Sequence, residues 1–220
     1  MIDVADVQQI LFKGNSIIFK LYRRKKMKEK IMFTFVILAV LTVGCTSGKE
    51  VTLTDFDKVE INDAFHVDIT VGEEYSVNLN IDDEVLEKIE VAKQGDTLIF
   101  GVKPFQDILP NSLVAEVTMP ELTTLSLGNG SHVNVKGSGD GLTLIATAGS
   151  HADLSDFKVE NADVTARSGS HVIVNVNDKL EVSASSGSHI LYLGDPYLRT
   201  SNVSSGSIIQ KHWQMYLELD

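Results

Sequence analysis

The tripeptide Gly-Ser-His occurs four times in the second half of this chain, at residues 130–132, 149–151, 169–171 and 187–189. A fifth copy, Gly206-Ser207-Ile208, keeps the Gly-Ser and loses the histidine. From serine to serine the steps are 19, 20, 18 and 19 residues. A unit this short cannot bury an apolar face alone, so each copy must be one coil stacked on the last. The repeat therefore predicts a solenoid, and a solenoid turns each position of the repeat into a column.

The residue types between the copies make that solenoid all-β. Short runs alternate apolar and polar residues, as in His66-Val67-Asp68-Ile69-Thr70-Val71 and Val77-Asn78-Leu79-Asn80-Ile81. Period-two alternation argues strands with one buried face. Gly137-Ser138-Gly139-Asp140-Gly141, Asn177-Asp178 and Gly194-Asp195-Pro196 supply corners. The expected architecture is a right-handed parallel β-helix of about 19 residues per coil, flanked by N-terminal β-strands. Residues 51–220 form one β-solenoid domain in this reading. Strands and a loop occupy 51–113, the repeats 114–208, and a C-terminal cap 209–220. Strand parity points the serines of the repeat (Ser131, Ser150, Ser170, Ser188 and Ser207) inward, as a ladder whose hydroxyls need partners. The same parity points His132, His151, His171 and His189 outward as a surface ladder.

The N-terminus reads as targeting, not fold. Ile31–Val43 is an apolar run of 13 residues, preceded by Lys28 and Lys30 and followed by Gly44-Cys45. The run is short for a membrane span and right for a signal-peptide core. Cys45 is the only cysteine and stands where a lipobox would put the lipidated residue. Residues 1–45 are thus expected to be a signal region with its natural start at Met27. Residues 46–50 are expected to be a tether, and the mature protein to be lipid-anchored at the bacterial outer membrane, in contact with the membrane through that N-terminal lipid. The residues beyond Cys45 hold 11 Lys and Arg against 27 Asp and Glu. So acidic a chain repels nucleic acid, and none is expected as a partner.

Three segments carry a family resemblance: Asp55–Ile61, Met119–Gly130 with its Pro-x-Leu, and Ser185–Pro196. With the lipoprotein-like signal, they make the chain resemble the putative auto-transporter adhesin head domain family over roughly residues 50–210. The resemblance implies an all-β, β-helix-like fold at the cell envelope. It brings no catalytic residues with it.

Function is therefore sought on the surface columns. The leading expectation is a cell-envelope lipoprotein with a β-solenoid binding or scaffold surface, adhesin-like, whose partner is an envelope glycan or a surface protein. A groove lined by Tyr192, Tyr197, Trp213 or Tyr216 would favour a glycan; a flat His/Asn/Leu face would favour a protein. The alternative is a carbohydrate-active enzyme, a polysaccharide lyase or hydrolase on a β-helix. Such chemistry needs paired carboxylates at a set separation. Asp140, Asp153, Asp156, Glu160 and Asp163 are available but fall at different phases of the coil, so no catalytic residue is assigned. Neither a cofactor nor a metal site is expected; the residues nearest to a metal set are His151, His171 and Asp153.

Overall fold

Alternating residues become strands, most with one face inside, over residues 49–106 and 113–212, the part of the chain that the computed structural model describes. Three long strands, β9 (His132–Ala146), β10 (His151–Arg167) and β11 (His171–Ser185), each run once round the solenoid and bend at a corner. They pair in parallel and in register. His132 lies beside His151, His151 beside His171, and His171 beside His189 of β12 (His189–Leu193). Past the corner, Leu142, Ala162 and Leu180 align with Leu198 of β13 (Tyr197–Val203). Their inward neighbours Leu144, Val164 and Val182 are wholly buried. Coils stacked about 4.7–4.9 Å apart thus place identical apolar positions on top of one another. The 20-residue coil absorbs its extra length where the register shifts between Leu154 and Lys158, with Phe157 filling the core there.

Each Gly-Ser-His begins inside a tight turn. Asn129-Gly130, Ala148-Gly149, Ser168-Gly169, Ser186-Gly187 and Ser205-Gly206 all have φ between 51° and 75°. Two successive positive φ values are the signature of a type I′ turn, in which the second residue is preferably glycine. The closing bond is present: Ser131, Ser150 and Ser170 amides donate to the carbonyls of Gly128, Thr147 and Arg167. The turns also bond to one another. The Gly130, Gly149, Gly169 and Gly187 amides donate at 3.0 Å to the carbonyls of Ala148, Ser168, Ser186 and Ser205 in the next coil. The glycine of the repeat is there for its backbone, since a Cβ at Gly169 would meet nothing within 4 Å.

The N-terminal half threads differently. β2 (Lys58–Ile61) and β3 (His66–Val71) form a complete coil, and its neighbours on both sides come from later in the chain. On one side lie β8 (Thr124–Leu127) and the start of β9, with Lys58 beside Thr124 and His66 beside His132. On the other lie β6 (Thr97–Val102) and β7 (Val114–Met119), with Lys58 beside Thr97 and His66 beside Val114. Between β3 and β6 the chain makes β4 (Ser76–Asn80), antiparallel to β7, and β5 (Ile89–Gln94), antiparallel to β6. With β1 (Lys49–Glu50) on β4, these cover the outer edges of β7 and β6, as an exposed solenoid end requires. The flanking strands expected from sequence are therefore β1, β4 and β5. β2, β3 and β6, which the sequence reading set beside the repeats, are inside the stack with β7.

At the other end, Ile208–Lys211 carries the stack three residues into the expected cap of 209–220. It forms β14, a further parallel strand with Ile208 beside His189. Residues 213–220, with Trp213 and Tyr216, lie outside the described residues, as do the signal region, Cys45 and the tether up to residue 48. Among the described residues no helix is long and apolar enough to cross a membrane.

The turns make a prediction. Ala148 carries φ 51° without the local hydrogen bonding that Asn or Ser brings to that region. Ala148→Gly should raise stability by about 1 kcal/mol, and Gly169→Ala should lower it by about 1–2 kcal/mol, from backbone strain alone. Chemical denaturation of the two variants checks the opposite signs.

Candidate functional site

The repeat's serine and histidine face opposite ways. Ser131, Ser150, Ser170 and Ser188 are fully buried, and Ser207, in the last coil, is partly open. The hydroxyls do not bond to one another. Ser131, Ser170 and Ser188 Oγ donate to the carbonyls of Ile61, Ala146 and Ala166 in the preceding coil, at 2.8–3.0 Å. Ser170 and Ser188 Oγ also accept from the Arg167 and Ser185 amides, at 3.1 Å. Each such serine pins its turn to the coil before it.

Ser150 breaks the series, because its Oγ is buried without a partner. By the repeat, its acceptor should be the carbonyl of Leu127. That oxygen is already taken by the amide of Thr147 at 2.9 Å and by Thr147 Oγ1 at 3.2 Å. The other turns have Gly128, Arg167, Ser185 or Ser204 at the threonine's position, and of these only the serines carry a hydroxyl.

The histidines form a longer column than the repeat announced. His66 of β3 precedes His132, and the two rings stack at 4.4 Å between centroids with only 4° between their planes. The next separations are 5.8 Å to His151, 6.3 Å to His171 and 4.8 Å to His189, with tilts of 32°, 34° and 52°. Burial, then the nearby His66 and His151 rings, hold the His132 imidazole below its ordinary value, against a raising contribution from the Gly130 backbone. Burial, then His189 and His151, do the same at His171.

Two residues on, a second outward column follows the same register. It reads Glu116, Asp68, Asn134, Asp153, Ile173, Leu191 and Gln210. One end of the face is therefore acidic and amide-bearing, and towards the other Ile173 and Leu191 are apolar before Gln210 ends the column. The acidic end holds a depression of about 520 Å³, bordered by Asp68, Glu116, Asp153, Asp156, Asn78 and Lys136. Two of its four carboxylates are engaged by neighbouring donors. Asn134 Nδ2 donates to Asp68 at 2.7 Å, and the Ser155 amide donates to Asp153 at 3.0 Å.

The five carboxylates weighed for catalysis do not converge. Asp153 and Asp156 border this depression. Asp163 borders another, of about 450 Å³, on the part of the coils past the corner, where Lys179 and Arg199 approach Glu181. Asp140 lies in the corner stretch of β9, and Glu160 accepts from Asn177 Nδ2. Among the described residues no aromatic side chain borders either depression. Tyr192 packs against the core, and Tyr197 stands exposed at the start of β13. Among the described residues no three His, Cys, Asp or Glu side chains are grouped to hold a metal ion. His151 and His171 are the most widely separated neighbours in the column.

Sequence comparison assigns the chain. The family model described as "Putative auto-transporter adhesin, head GIN domain" matches residues 55–147 and again residues 129–196. The chain belongs to this family. Its opening coil is part of the matched region, so the adhesin head domain begins with β2 and β3 and not with the first Gly-Ser-His. A search of curated proteins finds no match. Among solved structures, the chain is similar to a putative adhesin from Bacteroides fragilis at 12% identity, with a TM-score of 0.49, over 75% of this chain and 96% of that one. A putative adhesin from Parabacteroides merdae matches at 11% identity, TM-score 0.33, over 76% and 96%. A putative lipid binding protein from Parabacteroides distasonis matches at 15% identity, TM-score 0.32, over 74% and 95%.

The missed members of the site share one signal. Thr123 Oγ1 donates to Asp57, Asn129 Nδ2 to Asp63 and Asn134 Nδ2 to Asp68, and His132 stacks on His66. Every one of these pairs is 66 residues apart. A search for a repeat step of 66 alongside 19 would have found the first coil.

Two predictions follow from the columns. Ser170→Ala deletes a hydroxyl bonded on both sides and should cost about 1–3 kcal/mol, whereas Ser150→Ala removes an unpaired buried hydroxyl and should cost less or stabilise. Paired denaturant titrations measure the difference. The second concerns pH. His132 and His171 titrate lower in the folded chain than unfolded, so the unfolded state binds more protons as acid is added. Stability should be complete above the ordinary histidine pKa of about 6.5 and fall as pH drops below it. Thermal melts across that range should show the loss, and His132→Gln should flatten it.

Proposed function

We propose that this chain is an adhesin-like, lipid-anchored protein of the bacterial cell envelope that engages another protein through its histidine-bearing sheet face. The observation that carries the reading is the second outward column, acidic from Glu116 to Asp153 and apolar at Ile173 and Leu191, on a continuous parallel sheet. A sheet face with a charged half and an apolar half suits a folded partner, which can desolvate the apolar half and be oriented by the charges. A glycan site would instead need aromatic platforms, and among the described residues none borders either depression. Membership of the adhesin head family agrees with a binding role. The apolar run Ile31–Val43 and the lone Cys45 support export and lipid anchoring.

The test has two arms. Cells expressing the full-length chain are fed a clickable fatty acid; labelling of the wild type and its loss in Cys45→Ala are expected, and equal labelling of both removes the anchor from the reading. The same cells are applied to arrays of immobilised proteins and of glycans. Binding to protein spots that falls at least about tenfold in Leu191→Glu, a change of about 1.4 kcal/mol, is the expected result. Binding to glycans alone would replace the protein partner with a carbohydrate.

A further inference from the structure

The two ends of the stack are finished unequally. At one end, antiparallel β4 and β5 cover the outer edges of β7 and β6. At the other, β13 pairs only with β11 and β14 only with β12 among the described residues, so both present an unpaired edge. The core opens there too. Leu198 continues the buried column of Leu142, Ala162 and Leu180, yet is itself only partly buried. Thr200 continues the wholly buried column of Leu144, Val164 and Val182, and is exposed. Tyr197, Val203 and Ile208 of the same two strands are exposed as well. An open edge with uncovered apolar positions is a template for one more strand.

The continuation of the chain matches that edge. β14 lies on β12 at a step of 19 residues, from Ile208 beside His189 to Lys211 beside Tyr192. The His212 amide carries the ladder on by donating to the Tyr192 carbonyl at 2.7 Å. Gly194, Asp195 and Pro196 then separate β12 from β13, and Trp213, Gln214 and Met215 hold the same positions one step later. The same step sets Tyr216 beside Tyr197, Leu217 on Leu198, Glu218 beside Arg199 and Leu219 on Thr200. Alternation thus delivers a leucine to each uncovered inward position, and a carboxylate to Arg199, which reaches Glu181 of the coil before only at 3.8 Å. A register one residue away would turn Tyr216 and Glu218 inward instead. We propose that the outer edge of β13 is the docking site of this chain's own residues 216–220, held in parallel at that step. The C-terminal segment then extends the solenoid by half a coil in place of folding over its end. It also changes the edge offered to others: Glu218 and Asp220 face outward beside it, and carboxylates there discourage pairing with a second copy of so acidic a chain.

Amide hydrogen exchange in the full-length chain, without a C-terminal tag, tests this. In this stack an outward residue donates to the carbonyl just before its neighbour in the preceding coil, as His151 does to Ser131 and His171 to Ser150. Glu218 should therefore donate to the Leu198 carbonyl and exchange at least about tenfold more slowly than Leu217 and Leu219, whose amides face away from β13. Leu217→Asp should bring Glu218 to the rate of its neighbours while the amides of β10 keep theirs, which shows the variant to be folded. Sedimentation of the unsubstituted chain in detergent should give a monomer. Three results overturn the proposal. Equal exchange at residues 217, 218 and 219 would leave the edge without its occupant. Protection of Leu217 and Leu219 in place of Glu218 would mean another register. A dimer whose Leu198 and Thr200 amides lose protection on dilution would make a second copy the occupant.

Discussion

Register is the constraint on which the rest of this molecule depends. Parallel coils hydrogen-bond through the backbone without regard to side chains, so nothing in the ladder itself prevents one coil from slipping along the next. A slip of one residue would turn every apolar position outward. The stacked type I′ turns prevent it. Each turn offers its glycine amide to the carbonyl of the turn above, and each pinning serine reaches from its own coil into the one before. These are local bonds at fixed points of the repeat, and they stop the coils at one alignment.

Once register is fixed, the outward columns follow without further specification. The histidines need no attraction for one another to be stacked; their strands put them there. That explains why the ring separations vary from 4.4 to 6.3 Å while the backbone pairing does not. It also explains why a single substitution can change the character of the face locally. Ile173 and Leu191 stand where Asp68, Asn134 and Asp153 stand in other coils, and the core beneath them is undisturbed.

Sequence alone exposed the part of this order that is written at constant spacing. The repeat of 19 residues, the inward serines and the outward histidines all follow from counting and parity. The first coil was hidden because Ala64-Phe65-His66 stands in place of Gly-Ser-His and because β4 to β7 are inserted before the next copy. Phe65 is as buried as the serines it replaces, so burial was kept while the hydroxyl signature was lost. Ile208 misled in the opposite sense. An apolar residue in the histidine's place looked like the end of the coils, although the backbone continues in register past it. The orphaned hydroxyl of Ser150 was beyond any sequence rule, since it arises from competition between two side chains for one carbonyl.

The threading of the first coil bears on how the chain reaches this structure. β2 and β3 are made first, yet both of their edges stay open until β6 and β7 and then β8 and β9 have been added. A growing or translocating chain therefore cannot zip coil by coil from its N-terminus. About 80 residues, from Lys58 to about Lys136, must be present before the innermost coil is enclosed, and pairings so distant in sequence are slow to form. After that point each new coil needs only its predecessor. The molecule thus has a late-closing foundation and a quickly extended tower, and the repeat number can grow or shrink at the far end without altering the foundation.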